Sequence, residues 1–402
     1  MHHRQETILT HPETQVASEE TFHDDIIYPG TVPFLIIHLS CFAAIWTGVT
    51  LKAVVICILL YWVRMVAVTG GYHRYFSHRT YKTSRVGQFL IAALAQSSAQ
   101  RGAIWWAAMH RHHHLHSDTE LDPHSPRQRG FLYAHVGWIF APAAARPDYE
   151  SVADLTQYPE LVWLDNHQYV TAALLGTGVW LLAGWSGVVV GFLWSTTLLW
   201  HGTFCINSLA HVHGSQRYQT GDDSRNNWWL AVITCGEGWH NNHHAYQSST
   251  RQSFRWYQWD LTYYVLKVAS WMGLVWDLRS APPDVVNNER RLGQAVVEKV
   301  ARQLADTFSA DRVATQVTAT WKNSHMWPDI QEWAQATTAH AAARLSTVSL
   351  PELPTAEEIR QRATEMFRVP EVSLDEVSER ARVLLLQAVS LRILEGLDPL
   401  PA

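Results

Sequence analysis

The chain has 402 residues, of which 47% are hydrophobic and 17% are charged, whereas an average soluble protein carries about 25% charged residues. Its net charge of −5 argues against a nucleic-acid-binding protein, because such proteins usually present a strongly basic surface. The four cysteines lie far apart in the sequence, which excludes a disulfide scaffold, a CxxC zinc site and an iron–sulfur spacing.

Residues 1–25 are polar and of mixed charge, and they predict a loose N-terminal arm rather than a cleaved signal peptide. Three uncharged or nearly uncharged stretches follow, at 26–51, 51–69 and 169–210, and the last of these contains a Gly-Trp-Ser-Gly turn at 184–187. Because about 20 apolar residues cross a bilayer, we predict four transmembrane helices. Their approximate bounds are 28–47, 51–69, 169–185 and 188–210. Lys52 and Arg64 are expected to reach the aqueous edges of the membrane.

The distribution of positive charge predicts the orientation of these spans. Residues 70–168 carry nine Lys and Arg residues, whereas the connections within the two helical hairpins carry at most Lys52. The positive-inside rule therefore places residues 70–168 and both termini in the cytoplasm of a multi-pass membrane protein. Residues 211–280 are expected on the same side.

The composition changes after Pro282 and Pro283. Residues 284–402 hold 30 of the 67 Asp, Glu, Lys and Arg residues, and helical patterns occupy 357–367 and 375–394. Thr355 and Glu358 have the spacing of a capping box. We predict a soluble helical extension over 283–402, with a partner-binding or regulatory module as the alternative.

Histidines form the strongest chemical signal. Nine histidines fall into four groups along the sequence: His73 and His78; His110, His113 and His114; His211; and His240, His243 and His244. Residues at i, i+3 and i+4 share one helix face, so the triplets at 110/113/114 and 240/243/244 each are expected to present three rings to one point. Clustered imidazoles predict bound metal, since they would otherwise repel or remain desolvated. Imidazole suits zinc, copper, iron and nickel alike, so ligand type leaves the metal open. His38 and His201 are expected to be ordinary buried polar residues.

Other metal sites fit the sequence poorly. No His-Glu dipeptide occurs, which excludes the HExxH zinc protease motif. A carboxylate-bridged di-iron bundle needs two Glu-x-x-His motifs, and only Glu237 to His240 supplies one. Haem ligands would lie within the bilayer, whereas these histidines follow the ends of the predicted spans.

The histidine motifs resemble those of the integral-membrane fatty acyl desaturases of the Δ9, stearoyl-CoA desaturase-like family. The motifs are HRYFSH at 73–78, HRHHH at 110–114 followed by SDTELDPHSPRQRGF, NSLAH at 207–211 and GEGWHNNHHAY at 236–246. This resemblance covers residues 26–280 and implies an all-α desaturase domain over 26–282. In it, four transmembrane helices lie beneath a cytosolic helical cap that holds a di-iron site.

The resemblance also implies roles for individual residues. The nine histidines above would bind two iron ions, Asn207 would act through a water molecule, and His112 would not be a ligand. Asp118, Asp122, His124 and Glu237 would hydrogen-bond to the ring N–H groups of the ligands. Independently of the resemblance, Trp106, Phe131 and Trp138 could line an apolar acyl tunnel, with packing at the membrane interface as the alternative. Their expected position on the cytoplasmic face, rather than the resemblance, suggests that Arg101, Arg127 and Arg129 could bind the phosphates of the acyl carrier.

The activity implied is O2-dependent insertion of a cis double bond, at Δ9, into a long acyl chain in the bilayer. Electrons would come from a separate ferredoxin, rubredoxin or cytochrome, because the fused cytochrome b5 motif is absent from the sequence. Animal acyl-CoA members have charged pairs where this chain reads Ala108-Met109 and Pro142-Ala143. CoA and lipid therefore both remain as candidate carriers.

Two alternatives remain at this stage. A related di-iron enzyme could hydroxylate, acetylenate or decarboxylate the acyl chain. A non-enzymatic metal-binding or transport protein is a more distant alternative, because transport sites lie near the bilayer midplane and these ligands lie on one side.

Overall fold

The computed structural model describes residues 32–141, 148–322 and 353–395, and its regular structure is predominantly helical. The N-terminal half contains α1 (Val32–Ser40), α2 (Ala44–Thr47), α3 (Leu51–Ala67), α4 (Arg85–Gln96), α5 (Ala103–His116), α6 (Pro126–Arg129), α7 (Phe131–His135), α8 (Ala153–Thr156) and α9 (Pro159–Asn166). The remainder contains α10 (Val170–Ser186), α11 (Ser195–Asn207), α12 (Trp228–Ile233), α13 (His240–Ala245), α14 (Leu261–Trp271), α15 (Pro283–Val286), α16 (Gln294–Asp306), α17 (Ala310–Lys322), α18 (Ala356–Met366) and α19 (Glu371–Glu395). Two short strands, β1 (Lys82–Thr83) and β2 (Val275–Trp276), pair antiparallel, with Lys82 opposite Trp276.

Two continuous helical segments are long and apolar enough to cross a membrane. They are Leu51–Ser77, of 27 residues, and Val170–His211, of 42 residues, and a shorter apolar helix covers Val32–Thr47. Large apolar side chains point outward from these segments, with Trp46 81% exposed and Leu181 73% exposed. An apolar surface of this kind is unusual for a soluble monomer. Residues 1–25, the predicted arm, lie outside the described residues.

The second of these segments folds back on itself near its middle. Gly184 has φ = 60°, in the left-handed region, and interrupts the helical backbone of α10. Phe192, on the π-helix Gly187–Trp194, lies beside Gly176 of α10, and each is eight residues from Gly184. The two arms are therefore antiparallel, as the predicted turn at 184–187 requires.

Arg64 does not reach the edge of the apolar segment as expected. Its side chain is 0% exposed, and its guanidinium donates to Ser97 O at 3.1 Å, Thr196 Oγ1 at 2.8 Å and Ser195 Oγ at 2.6 Å. Hydroxyl and carbonyl oxygens from two neighbouring segments replace the water that Arg64 would otherwise need. The residue thus joins α3 to the fourth predicted span.

The two expected polar histidines, His38 and His201, are part of a hydrogen-bonded chain. Their Nε2 atoms are 3.2 Å apart, and His201 Nδ1 lies 3.0 Å from Nε2 of His135. His135 in turn contacts Ser208 Oγ at 3.0 Å. This row of hydrogen-bonded histidines connects α1, α11 and α7.

The segment that follows α3 continues as a π-helix, Val68–Ser77, which carries the first histidine motif. A Cβ atom on Gly71 would lie 2.5 Å from Ile91 Cγ2, so glycine permits α4 to pack directly against this π-helix. Tyr72 and Phe76 are fully buried on either side of His73 and pack into the largest hydrophobic cluster. This packing fixes the direction in which His73 points.

The C-terminal helices have a hydrophobic cluster of their own. Buried residues of α16, α17, α18 and α19, such as Val300, Val317, Ile359 and Val389, form it. The predicted capping box is present, with Thr355 Oγ1 accepting from Glu358 N and the Glu358 side chain accepting from Thr355 N. The predicted patterns at 357–367 and 375–394 correspond to α18 and α19.

Candidate metal centre

One group of five imidazoles converges in the interior of the chain. Neighbouring Nε2 atoms are 2.9–3.0 Å apart, in the order His73, His243, His114, His110 and His78. The ligand atoms of this five-histidine group all lie within 4.8 Å of one another. The π-helix supplies His73, His78 follows it, and α5 and α13 supply the rest.

A second group of four imidazoles lies beside the first. It contains His113, His211, His240 and His244, with ligand atoms again within 4.8 Å of one another. The Nε2 atoms of His211 and His240 are 3.1 Å apart. Asn207, the last residue of α11, lines the cavity next to the histidines.

Each histidine triplet was expected to face a single point, but each is divided between the two groups. In α5, His110 and His114 belong to the five-histidine group and His113 to the four-histidine group. In α13, His240 and His244 join the four-histidine group and His243 the other. Positions i and i+4 point almost the same way, whereas i+3 is rotated to the other side of them. Each helix therefore contributes to both groups.

Carboxylates orient one ring of the five-histidine group and three of the other. The His73 Nδ1 atom lies 2.5 Å from Glu237, His113 Nδ1 3.0 Å from Asp122, His211 Nδ1 2.9 Å from Asp118, and His244 Nδ1 2.7 Å from Asp222. An Nδ1–H donated to a carboxylate leaves the Nε2 lone pair free to bind metal. Three of these four carboxylates were expected from the sequence, and Asp222 was not.

Asp222 was missed because it lies between motifs, in the polar segment Thr-Gly-Asp-Asp-Ser at 220–224. Its Oδ1 accepts hydrogen bonds from the Thr220 and Ser224 hydroxyls, both at 2.6 Å. Burial alone would raise the pKa of Asp222, but His244, His211 and the Ser224 hydroxyl hold it well below its usual range. The carboxylate is thus charged and fixed toward His244.

The arrangement of nitrogen atoms fits bound metal ions. The Nε2 atom of His243 lies 3.0 Å from the Nε2 atoms of both His73 and His114. A neutral ring nitrogen has either one N–H or one lone pair, so these two contacts cannot both be ordinary hydrogen bonds. Nitrogens bound at right angles about 2.1 Å from one ion would lie about 3.0 Å apart, the spacing in the five-histidine group. The buried Nε2 of His244 also has no hydrogen-bond partner.

The electrostatic environment keeps at least four of the nine rings in their metal-binding form. Burial, with a further contribution from neighbouring imidazoles, holds the pKa well below the usual histidine value in His110, His114, His240 and His243. Only the neutral ring has a lone pair for metal. Burial would raise the pKa of Glu237, but His73 and Arg74 lower it to about 2.

A buried ion network holds Glu237 in place. Arg74 is 0% exposed and pairs with Glu237 and Asp260, each at 2.9 Å. The Gln252 side-chain amide donates to the other Glu237 oxygen at 2.9 Å. Gly236, at φ = 125°, precedes this carboxylate, and a Cβ there would crowd Asp260 and Arg74. Arg74, Gln252 and Asp260 had not been expected at the site.

His124 differs from its expected role. Its backbone N–H donates to Asp122 at 3.2 Å, but its Nδ1 atom has no hydrogen-bond partner and lies 3.6 Å from Asp122. The ring packs instead against His113 and Trp138. Burial and the neighbouring His113 lower the pKa of His124 to about 3. His124 therefore contributes packing rather than a ring hydrogen bond.

A cavity with mainly apolar walls reaches the histidines. Trp106, Trp138 and Phe204 line it, and His73, His110 and Asn207 also border it. Of the three arginines considered for the carrier, Arg101 lines this cavity, with its guanidinium over the Trp105 ring at 4.7 Å. Arg127 instead forms an exposed pair with Asp223, and Arg129 packs on Tyr133.

Replacement of Asp222 by asparagine should weaken metal binding by about 10- to 100-fold, the usual cost of losing a carboxylate that orients a metal-binding histidine. The change preserves shape but removes the charge that holds the Nδ1–H of His244. Metal retained after dialysis against a chelator measures the effect. Asp277→Asn, which alters an exposed pair with Lys82, is the matched control and should retain wild-type metal content.

Comparison with known proteins identifies related sequences. The family model described as fatty acid desaturase matches residues 50–275. The chain is 35% identical to the sn-1 stearoyl-lipid 9-desaturase of Anabaena variabilis, over 64% of this chain and 95% of that protein. It is 31% identical to the sn-2 palmitoyl-lipid 9-desaturase of Nostoc sp. (strain 36), over 67% and 95% of the two chains. It is also 35% identical to the acyl-CoA C20 Delta5-desaturase of Anemone leveillei, over 65% and 82%.

Proposed function

This chain belongs to the fatty acid desaturase family and is an oxidoreductase, and we propose that it is a membrane di-iron enzyme that inserts a cis Δ9 double bond into a saturated acyl chain. The observation that carries this proposal is the division of nine imidazoles into groups of five and four beside an apolar cavity. The two 9-desaturases named above support the Δ9 position.

The nine histidines would hold the two ions, with Asn207 contributing through water. When bound, iron would supply the oxidising power, with O2 as co-substrate, that no side chain provides. In the overall reaction, two hydrogens leave the chain, two electrons and two protons are supplied, and O2 is converted to two waters. The number of acyl carbon atoms between the bound carrier and the metal would determine which C–C bond is desaturated.

The protein's own residues would align the substrate and protect the site. The aromatic walls around Trp106 and Trp138 would hold an extended acyl chain and exclude water. Glu237, Asp118, Asp122 and Asp222 would keep a proton on each Nδ1 atom, and thereby keep each Nε2 lone pair directed inward. Arg74 would maintain the charge on Glu237.

We further propose that the acyl chain is carried on a membrane lipid. Ala108 and Met109, which stand where animal acyl-CoA enzymes have a charged pair, are buried, and Met109 lines the cavity. That position therefore offers no charge to a nucleotide. Pro142 and Ala143 lie outside the described residues. Arg101 is the arginine best placed to contact a phosphate or ester at the cavity.

Arg101→Gln should raise the KM for the acyl substrate by about tenfold, because a charge-assisted hydrogen bond contributes about 1.5–3 kcal/mol. Metal content should not change, since Arg101 contacts none of the histidines in the described structure. Turnover of lipid-esterified and CoA-linked chains would be compared in detergent. Arg85→Gln, which breaks an exposed pair with Glu160, is the control. An unchanged KM for both substrates would exclude Arg101 as the carrier contact.

The domain organisation and topology are also part of the proposal. A desaturase domain over 26–282 would cross the membrane four times, with the helical cap, the metal site and both termini in the cytoplasm. The exposed apolar surfaces of Val32–Thr47, Leu51–Ser77 and Val170–His211 support these spans. Exposed Trp271, the last residue of α14, and exposed Trp256, shortly before that helix, suit the membrane interface. An extension over 283–402 would follow this domain.

Electrons would arrive from a separate ferredoxin, rubredoxin or cytochrome. The four cysteines of the chain are dispersed, at 41, 57, 205 and 235. Purified protein given O2, NAD(P)H and acyl substrate should therefore turn over only after a donor is added.

Lipid analysis of cells that express the chain tests the proposed function. We expect monounsaturated acyl chains with a cis Δ9 bond, and their loss in a His240→Ala variant. Hydroxylated, acetylenic or chain-shortened products would instead identify one of the related di-iron reactions. Bound metal without any altered lipid would favour a metal-binding or transport protein.

A further inference from the structure

The C-terminal extension makes specific contacts with two loops of the metal centre. The Lys299 ammonium of α16 donates to Ser117 O at 3.4 Å, and its aliphatic stem lies over Gly221. Gly221 has φ = 78°, and a Cβ there would lie 3.1 Å from Lys299 Cδ. One side chain therefore crosses from the loop at 117 to the loop at 221.

These two loops carry the carboxylates of the four-histidine group. Ser117 precedes Asp118, which orients His211, and Gly221 precedes Asp222, which orients His244. The loops are also joined beneath Lys299, because Asp223 N donates to Asp118 Oδ2 at 2.8 Å. Lys299 thus adds a second connection between two loops that the hydrogen bond from Asp223 to Asp118 already joins.

Two other contacts connect the extension to the same region. When the Gln303 amide is placed in the orientation that satisfies its hydrogen bonds, its oxygen accepts from both terminal nitrogens of Arg127 at 3.2 Å. Arg127 also pairs with Asp223. The Val286 carbonyl accepts from the Tyr218 hydroxyl at 2.8 Å. Lys299 and Gln303 are four residues apart and so share one face of α16.

We propose that the extension is a clamp that holds the carboxylate loops of the four-histidine group, with Lys299 as a positioning residue. This inference rests on the proposed metal function. The family match ends at residue 275, before α16 begins, so the clamp is an addition to the matched domain. Its buried helical core provides a rigid base for Lys299 and Gln303.

If the extension acts as a clamp, removing the Lys299 contacts should release one of the two ions preferentially. In the full-length chain, Lys299→Ala should increase the rate at which a chelator removes half of the bound iron by about five- to tenfold. Lys299→Met, which keeps the stem over Gly221 but removes the donor, should give a smaller increase, and Lys299→Arg should restore slow release. Arg302→Ala is the control, since Arg302 pairs with Glu298 within the same helix.

Hydrogen exchange in the metal-free protein gives a second readout that needs no iron. Lys299→Ala should increase exchange at residues 116–125 and 216–223 while exchange within α17 and α19 stays unchanged. Equal iron release and equal exchange in the Lys299→Ala and Arg302→Ala variants would overturn the clamp. If the wild-type chain binds no iron, the proposed function fails, and loop exchange alone then decides whether Lys299 holds the loops.

Discussion

Replacing His243 with alanine should abolish measurable desaturation, with at least a 100-fold loss of activity, and should remove iron from the purified protein. His243 is buried, and its Nε2 atom lies 3.0 Å from the Nε2 atoms of both His73 and His114. It therefore links rings from three segments of the chain. Alanine would leave the metal with an incomplete ligand set, because one of the five converging rings would be missing.

Iron analysis and activity should be measured on the same preparations. The wild-type chain should contain about two iron ions, and the His243→Ala chain fewer. His112→Ala is a matched control from the second motif, because the His112 ring points away from the group and contacts the Leu121 carbonyl at 2.9 Å. One zinc per wild-type chain, with activity insensitive to iron removal, would be evidence against a di-iron centre.

Arg74→Met should destabilise the folded protein by about 3–5 kcal/mol, the usual consequence of removing one partner from a buried ion network. Glu237 and Asp260 would then remain buried without their shared cation. Arg74 also donates to the Thr250 carbonyl at 2.8 Å, which would lose that donor. Because Glu237 orients His73, the variant should bind iron weakly even when it is folded.

Thermal unfolding in detergent, followed by iron analysis of the folded fraction, measures both effects. Arg79→Met provides the control, since Arg79 forms an exposed pair with Asp154 at 2.6 Å. Such exposed pairs contribute about 0–1 kcal/mol. Equal stability of the two variants would mean that Arg74 does not support the site as described.

Several features of this protein followed directly from its sequence. Long apolar segments predicted the helices Leu51–Ala67, Val170–Ser186 and Ser195–Asn207, because uncharged stretches of such length have few other stable forms. Thr355 and Glu358 predicted the capping box, since its hydrogen bonds join residues three positions apart. Helical spacing identified six of the nine candidate ligands, because i, i+3 and i+4 neighbours lie close on a helix. The other three, His73, His78 and His211, were identified by their positions at the ends of predicted spans.

The features that depend on distant residues were decided by the tertiary structure. Helix geometry turns the i+3 ring of each triplet away from the i and i+4 rings, but only the approach of α5, α13 and the π-helix gathers the rings into groups of five and four. Asp222 reaches His244 from 22 positions away, and Arg74 reaches Glu237 from 163. Arg64 is buried because Ser195 and Thr196 come from another segment. Burial and ion pairing depend on which surfaces meet, and that information is distributed over the whole chain rather than carried by any local pattern.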